Sequence, residues 1–458
     1  MTFTAPVFPL FLLAVLLGLR FLPPRKKWML LLPASWLFYA WHSLPLLGLL
    51  LLATLISYGC GLLMEKRERE RKGWFLFGCV SLLGILFLFK YLDFAAFGIV
   101  SLLRLAGVPV SFRGFGLVLP MGISFYIFQT LSYLMDVYRG NTPAERNVAI
   151  YALFVSFFPQ LVAGPIERPA DLLPQLRCPN KPRTAEGLRL LLRGYAKKVV
   201  IADTIAVCVD AAYAQGAAAG GLALTAATAL FAVQIYCDFS GYTDIARGCG
   251  AFMGIGLSEN FDRPYCATTV REFWRRWHIS LTRWFTDYVY IPLGGSRRGT
   301  GITIRNIMIV FLLSGLWHGA RVTFLIWGGL HGLYLCLELL MDGRHSPRRP
   351  RLRRALTLLL VGSAWIFFRA DSLDMALGIL KAILTNPAPM AFFSGLGITV
   401  PQALTIAGLL PLLPVMEKLP APEEKYNLQY TVLIFLILFC RLMLLMQGGS
   451  GAFIYFQF

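Results

Sequence analysis

Long apolar runs separated by short polar gaps dominate the chain. The first is Phe3 to Leu22, and further runs occupy about 28–41, 44–64, 74–106, 117–137, 187–213, 221–253, 301–318, 320–340, 355–370, 398–414 and 428–446. A helix needs about 20 apolar residues to cross a bilayer, so the pattern predicts about 11–12 crossings, twelve by direct count. Backbone groups in lipid must be satisfied within the chain. The fold class is therefore an all-α polytopic membrane bundle. Phe3–Leu22 has no basic residue ahead of it and no small-residue cleavage site behind it, so it reads as a crossing and not as a cleaved signal. An extra segment at 148–163 is interrupted by Phe158-Pro159-Gln160 and then Gly164-Pro165. Irregular backbone at membrane depth is tolerated where protein buries it or where it lines a cavity, and the segment is predicted to be re-entrant.

The gaps carry the charge. Basic clusters fall at Arg20/Arg25/Lys26/Lys27, at 65–72, at Lys181–Lys198, at Arg263–Arg305 and at Arg344–Arg354. If 148–163 does not cross, two crossings separate each cluster from the next. All five then share one side, which the positive-inside rule makes cytoplasmic, and both termini fall on the far side. The run at 65–72 reads as a solvated loop, and Met341–Arg354 as a loop held to anionic headgroups. No internal repeat is visible.

Composition agrees. Of 458 residues, 57% are hydrophobic and 15% charged, against about 45–50% and about 25% in soluble domains. A soluble multidomain enzyme and a disordered chain are excluded. The net charge of +19 lies in the gaps, so it reports membrane orientation and gives no nucleic-acid partner. The nine cysteines include no Cys-x-x-Cys pair and read as buried thiols. His42, His278, His318, His331 and His345 include no pair spaced for a metalloprotease helix, and no metal site is expected.

Three segments place polar chemistry inside or against the apolar runs. In the first, Asp238, Ser240, Tyr242, Asp244 and Arg247 interrupt the 221–253 run. Asp244 and Arg247 are three apart and suit pairing on one helix face. The segment serves either interhelical bonding or a substrate. In the second, Trp274, Trp277, His278, Leu281 and Trp284 recur at helical spacing with arginines elsewhere, an amphipathic helix at the cytoplasmic interface. The Gly/Arg turn Ile291–Gly299 follows it. That turn either anchors to lipid or offers N–H groups and the guanidinium groups of Arg297 and Arg298 to phosphates. In the third, His318 stands beside Trp317 and between Gly315 and Gly319. These glycines allow close approach of a backbone or a substrate, and an imidazole in a dry site suits general-base work on a hydroxyl. His331, thirteen residues on and about 220° around a continuous helix, reads as structural. His42 and His345 read as solvent-facing.

These segments resemble the membrane-bound O-acyltransferase (MBOAT) superfamily, and within it the bacterial alginate O-acetyltransferase-like branch. The resemblance runs nearly end to end. It includes Ala34–Trp41, Leu119–Tyr126, Phe158–Ile166, Tyr236–Tyr242, Glu259–Tyr265, Phe273–Trp284, Ile291–Gly295, Gly315–Ala320 and Phe453–Phe458. It implies a single membrane domain over 1–458 around a central tunnel, with a catalytic core at 255–340. His318 is implied as the catalytic histidine and His278 as the second; Trp317, Asp238, Ser240, Tyr242 and Trp277, from the polar segments around them, are expected as tunnel or support residues.

The implied activity is transfer of acetyl from a cytoplasmic thioester, acetyl-CoA or similar, to an extracytoplasmic acceptor. No cofactor is bound. The chain would sit in the bacterial inner membrane and O-acetylate an exported or cell-surface polysaccharide such as alginate, with an extracytoplasmic acetyltransferase as partner. His318 would act as a general base or carry the acyl group as an acyl-imidazole. The terminal Phe453, Tyr455 and Phe458 follow the hinge Gln447–Gly451 and resemble an acyl relay through Tyr455; an interfacial aromatic belt is the other reading. The alternatives are a D-alanyl transferase of the teichoic-acid type and, from another class, a transporter or membrane scaffold without chemistry.

Overall fold

The computed structural model describes residues 1–41, 43–162, 164–341 and 350–418, with 433, 434 and 437. The described residues are helical, with no strand. Seven helices among them are long and apolar enough to cross a membrane: Leu44–Lys66, Glu68–Leu105, Thr184–Ala219, Gly221–Met253, Thr300–His318, Val322–Leu340 and Val400–Glu417. Several of the twelve expected runs form shorter elements. Phe3–Leu22 gives a helix only over Phe8–Arg20, the 28–41 run gives Trp28–Ala40 with Pro33 inside it, and the 117–137 run begins its helix only at Ile123. The run at 428–446 lies almost wholly outside the described residues.

The chain forms two compact units, Met1–Thr184 with Cys249–Ser258, and Ala185–Gly248 with Glu259–Phe458. The first begins with α1 (Phe8–Arg20), α2 (Trp28–Ala40), α3 (Leu44–Lys66), α4 (Arg71–Leu86) and α5 (Leu92–Leu105), followed by α6 (Ile123–Arg139) and α7 (Val148–Ser156). Two short helices, α8 (Phe158–Leu161) and α9 (Pro169–Arg177), end it. α3, α4 and α6 pack together. Exposed apolar side chains such as Val80, Leu102 and Leu105 stud α4 and α5, as expected of a surface that meets lipid. The segment expected to be re-entrant breaks at Phe157 between α7 and α8, and every residue from Ile150 to Leu161 is buried. Gln129 of α6 donates to the Phe154 carbonyl and accepts from Gln160 Nε2 and the Glu167 N–H.

The second unit holds α10 (Thr184–Tyr195) from Ala185 on, α11 (Asp203–Gln215), α12 (Gly221–Met253) as far as Gly248, α13 (Val270–Arg276) and α14 (Ile279–Phe285). It continues with α15 (Thr300–His318), α16 (Val322–Leu340), α17 (Pro350–Arg369) and α18 (Leu373–Thr385). α15 and α16 form its tightest pair. A Cβ on Gly315 would stand 2.3 Å from the Phe324 carbonyl oxygen, and one on Gly328 would stand 2.2 Å from that of Phe311. Gly315 thus serves the approach of another backbone. At Gly319 the space is filled by the Phe324 ring, which a Cβ there would meet at 2.3 Å.

Candidate active site

α10 and α12 carry the first polar cluster. They touch through small residues, since a Cβ on Gly194 would lie 2.6 Å from the Gly241 carbonyl oxygen. Beyond α10 the helix widens into a π turn over Ala196–Ala202, which brings Lys197 and Lys198 inward. Lys198 Nζ lies 2.8 Å from Asp203 Oδ1 and 2.7 Å from Asp238 Oδ1, and 5.7 Å from the centre of the Tyr242 ring. Lys197 Nζ reaches Asp244 Oδ2 at 3.1 Å, and Arg193 Nε donates to that oxygen at 2.9 Å.

Two expectations are corrected here. Lys197 and Lys198 are buried counter-ions and not charges of a cytoplasmic loop. Asp244 pairs with Arg193 and Lys197, not Arg247, which turns to Glu259 at 3.0 Å. Partners from other segments displaced the local i,i+3 pair. Ser240 is buried, and its hydroxyl meets no hydrogen-bond partner among the described residues.

The expected amphipathic helix over 271–284 is broken. α13 starts with Thr269 accepting from the Glu272 N–H, and Glu338 of α16 accepts from the N–H groups of Val270 and Arg271 at 2.6 and 3.0 Å. The Thr268 N–H donates to the Glu272 carboxylate and, with bonds from the Thr268 hydroxyl and the Arg276 guanidinium, holds it below the usual carboxylate range. The chain leaves α13 at Trp277 in extended conformation and turns through His278 at φ 43°, ψ 54°, a left-handed conformation uncommon outside glycine. His278 is wholly buried, and burial pushes its imidazole down to about 3. Trp277 stacks on Phe273 at 5.5 Å and meets Trp365 of α17 at 5.2 Å.

His318 ends α15, nearly fully buried in an aromatic enclosure. Its ring lies edge-to-face with Trp317 and Trp327, both at 4.9 Å, and with Phe368 at 5.3 Å. The Trp317 indole also meets His278, at 5.8 Å, so one ring touches both imidazoles. His331 is on α16 and His318 on α15, so the two are not related by the turn of one continuous helix. Its Nδ1 accepts from the Trp274 indole N–H at 3.2 Å, and its ring lies 5.0 Å from Trp327, the same indole that meets His318.

A largely apolar pocket of about 590 Å³ opens among α13, α14, α15 and α16. Thr303, Ile307, Val310, Phe311 and Ser314 of α15 line it, and the same helical spacing continues to His318 one turn beyond Ser314. Arg271 and Arg275 line it too, with Ser296. Arg297 and Arg298 sit on the exposed turn just past Ser296, outside the lining, with the Arg298 stem folded over Gly294. Gly294, Gly295 and Gly299 all take positive φ there, and Asn306 Nδ2 donates to the Gly295 carbonyl at 2.9 Å. The sequence singled out neither Arg271 and Arg275 of the pocket wall nor Trp327 and Phe368 of the His318 enclosure; the arginines were visible only as one face of the expected helix. Among the described residues, no group of three or more His, Cys, Asp or Glu side chains is placed to hold a metal ion. Tyr455, Phe453 and Phe458, with His42 and His345, lie outside the described residues.

The chain is a multi-pass helical membrane protein with buried imidazoles at His278 and His318 and a separate, largely apolar pocket lined by α15, and comparison with known proteins says to which class it belongs. The model of the membrane-bound O-acyltransferase family, MBOAT, matches residues 144–370. The chain belongs to this family and is an acyltransferase. It is 42% identical over 393 residues to the probable alginate O-acetylase AlgI of Azotobacter vinelandii, covering 84% of this chain and 78% of that one. It is 36% identical over 396 residues to the peptidoglycan O-acetyltransferase of Helicobacter pylori, covering 78% and 73%. With the teichoic acid D-alanyltransferase of Bacillus subtilis it shares 26% over 230 residues, 47% of this chain and 58% of that one. Family membership sets aside the transporter and scaffold readings.

Proposed function

We propose that this acyltransferase moves an acetyl group from a cytoplasmic thioester, through a tunnel that passes His318, to an acceptor on the far side of the bacterial inner membrane. The observation that carries the reading is the α15 stripe, which lines the pocket from Thr303 to Ser314 and arrives at His318. The pocket's apolar depth suits the pantetheine arm and thioester of acetyl-CoA, and guanidinium groups at its wall suit phosphates. Arg271 and Arg275 take that role, with Arg297 and Arg298, on the exposed turn past Ser296, as further phosphate contacts.

His318 accepts the proton of the acceptor hydroxyl as its oxygen attacks the thioester carbonyl. The tetrahedral intermediate expels the thiolate, which takes the proton from His318. A positioned general base contributes about 10²–10⁴-fold. If His318 instead carries the acetyl group first, its nitrogen attacks the thioester carbonyl and the thiolate leaves; the acceptor hydroxyl then attacks the acyl-imidazolium, the bond from the acyl carbon to His318 breaks, and the hydroxyl proton passes to the thiolate. His278 is the second histidine, coupled to His318 through Trp317, while Trp277, Tyr242, Ser240 and the Lys198-bound Asp238 support the enclosure.

The relatives' names, an alginate O-acetylase and a peptidoglycan O-acetyltransferase, support an exported or cell-surface polysaccharide as final acceptor. An extracytoplasmic acetyltransferase completes the transfer, with Tyr455 as the relay. The D-alanyl alternative has weaker support in the 26% relative. The test compares wild type with Arg271→Ala/Arg275→Ala in nanodiscs, using acetyl-CoA and a D-alanyl-charged carrier protein as donors. A KM for acetyl-CoA raised ~10-fold or more, at nearly constant kcat, is expected when uniform donor binding is lost. Unchanged affinity, or preference for the charged carrier, would overturn the donor assignment.

A further inference from the structure

α14 begins without a cap of its own: His278, its N-cap residue, makes no side-chain capping bond. The work is done from 18 residues upstream. The Ile279 N–H donates to the Asn260 carbonyl at 3.0 Å, and the Ser280 N–H donates to Asn260 Oδ1 at 3.1 Å. The Ser280 hydroxyl donates to the same oxygen at 2.9 Å, and His278 Nδ1 lies 3.2 Å from it. One step along, the Asp262 N–H donates to the Arg276 carbonyl at 3.0 Å, so the 260–262 segment is stitched across the break between α13 and α14.

This geometry fixes a proton. A backbone N–H can only donate, so the Asn260 side-chain atom facing Ser280 must be the oxygen and not the amide nitrogen. An amide oxygen can only accept, so His278 Nδ1 must carry its hydrogen and Nε2 must carry the lone pair. We propose that Asn260 is a positioning residue for the acyl transfer: it locks His278 as the Nδ1–H tautomer, in the left-handed turn that sets the ring against Trp317, with Nε2 as its basic nitrogen. The proposal rests on the reading of His278 as the second histidine of the reaction. The imidazole is wholly buried and held neutral, so its tautomer, and not its charge, is the variable the protein has to set.

The unused end of Asn260 agrees. Nδ2 is buried and meets no hydrogen-bond partner among the described residues, and Asn260 stands in the wall of a small polar pocket with Ser240 and Thr243. Only the acceptor end is employed, so a carboxylate at 260 would supply all that the turn and the imidazole require.

The experiment uses the full chain in nanodiscs with ¹⁵N-labelled histidine. The wild type is compared with Asn260→Ala, Asn260→Asp and, to assign the resonance, His278→Gln. The expected result is an Nδ1-protonated His278 in wild type and Asn260→Asp, and mixed tautomers in Asn260→Ala. With acetyl-CoA as the donor, kcat per folded protein should fall ~10–100-fold in Asn260→Ala, the usual scale for losing an orienting partner. KM should stay within about two-fold, since Asn260 is not in the lining of the donor pocket, and Asn260→Asp should recover most of the rate. An Nε2-protonated His278 in wild type would overturn the proposal, as would an Asn260→Ala protein with wild-type kcat. If Asn260→Ala fails to fold, the wild-type and Asn260→Asp spectra still decide the tautomer. His278→Gln with wild-type turnover would instead defeat the underlying reading of His278, and would do so whichever tautomer the spectra gave.

Discussion

Replacing Lys198 by methionine should destabilise the protein through a charge imbalance that the rest of the bundle cannot repair. Lys198 Nζ bridges Asp203 and Asp238, and all three side chains are at most 6% exposed. Methionine keeps most of the aliphatic stem and removes the ammonium, leaving two carboxylates facing each other in a dry interior. Breaking a buried ion pair by deleting one partner costs about 3–5 kcal/mol, because the remaining charge is left uncompensated. Replacing all members by neutral groups often costs little. Lys198→Met/Asp203→Asn/Asp238→Asn should therefore recover most of the loss, with a coupling of ~2 kcal/mol or more between the sites. Denaturant unfolding in nanodiscs at pH 7, followed by tryptophan fluorescence, measures both variants. A Lys198→Met protein within ~0.5 kcal/mol of wild type, or a triple variant no better than the single one, would refute the reasoning.

Two further outcomes follow from the same geometry. Gly315→Ala should force α15 and α16 apart, since its Cβ would stand 2.3 Å from the Phe324 carbonyl oxygen. It should cost about 1–3 kcal/mol and lower turnover ~10²-fold, as a 1 Å misplacement at a reacting group can do; Gly362→Ala, where a Cβ meets nothing within 4 Å, is the control. Equal turnover in the two variants would contradict the account. As for pH, His278 is held down to about 3 by burial but titrates near 6.5 when unfolded. Its contribution to stability is fully present above pH 6.5 and is lost as pH falls toward 3, because only the unfolded chain takes up the proton. Unfolding midpoints of wild type should fall more steeply than those of His278→Gln between pH 6.5 and 4.5, and parallel curves would contradict this.

Hydropathy made the membrane bundle legible, because lipid demands long apolar helices whatever their packing. Within two of the apolar runs the helix is shorter than the run, since α1 covers only Phe8–Arg20 and α6 starts at Ile123. Charge was harder to read. Lys197 and Lys198 look like loop residues in sequence, and only the partners Asp203, Asp238 and Asp244 from other helices show that they are buried. Helical periodicity over 271–284 was real but concealed the break, because the groups that stabilise it come from Asn260, outside the periodic window. Nothing local marks such a residue. The Gly315–His318 stretch was legible as a site candidate, but the glycines' purpose, helix packing at Phe324 and not room for substrate, depended on α16.

The central claim is that His318 performs acetyl transfer. Wild type and His318→Ala, purified in lipid nanodiscs, would each be incubated with radiolabelled acetyl-CoA and assayed for thioester turnover and protein-bound label, with the label mapped by mass spectrometry. The account predicts turnover in wild type, its loss by at least ~10²-fold in a folded His318→Ala protein, and label on Tyr455 if that residue relays the acyl group. A folded His318→Ala protein that transfers acetyl at the wild-type rate would contradict it.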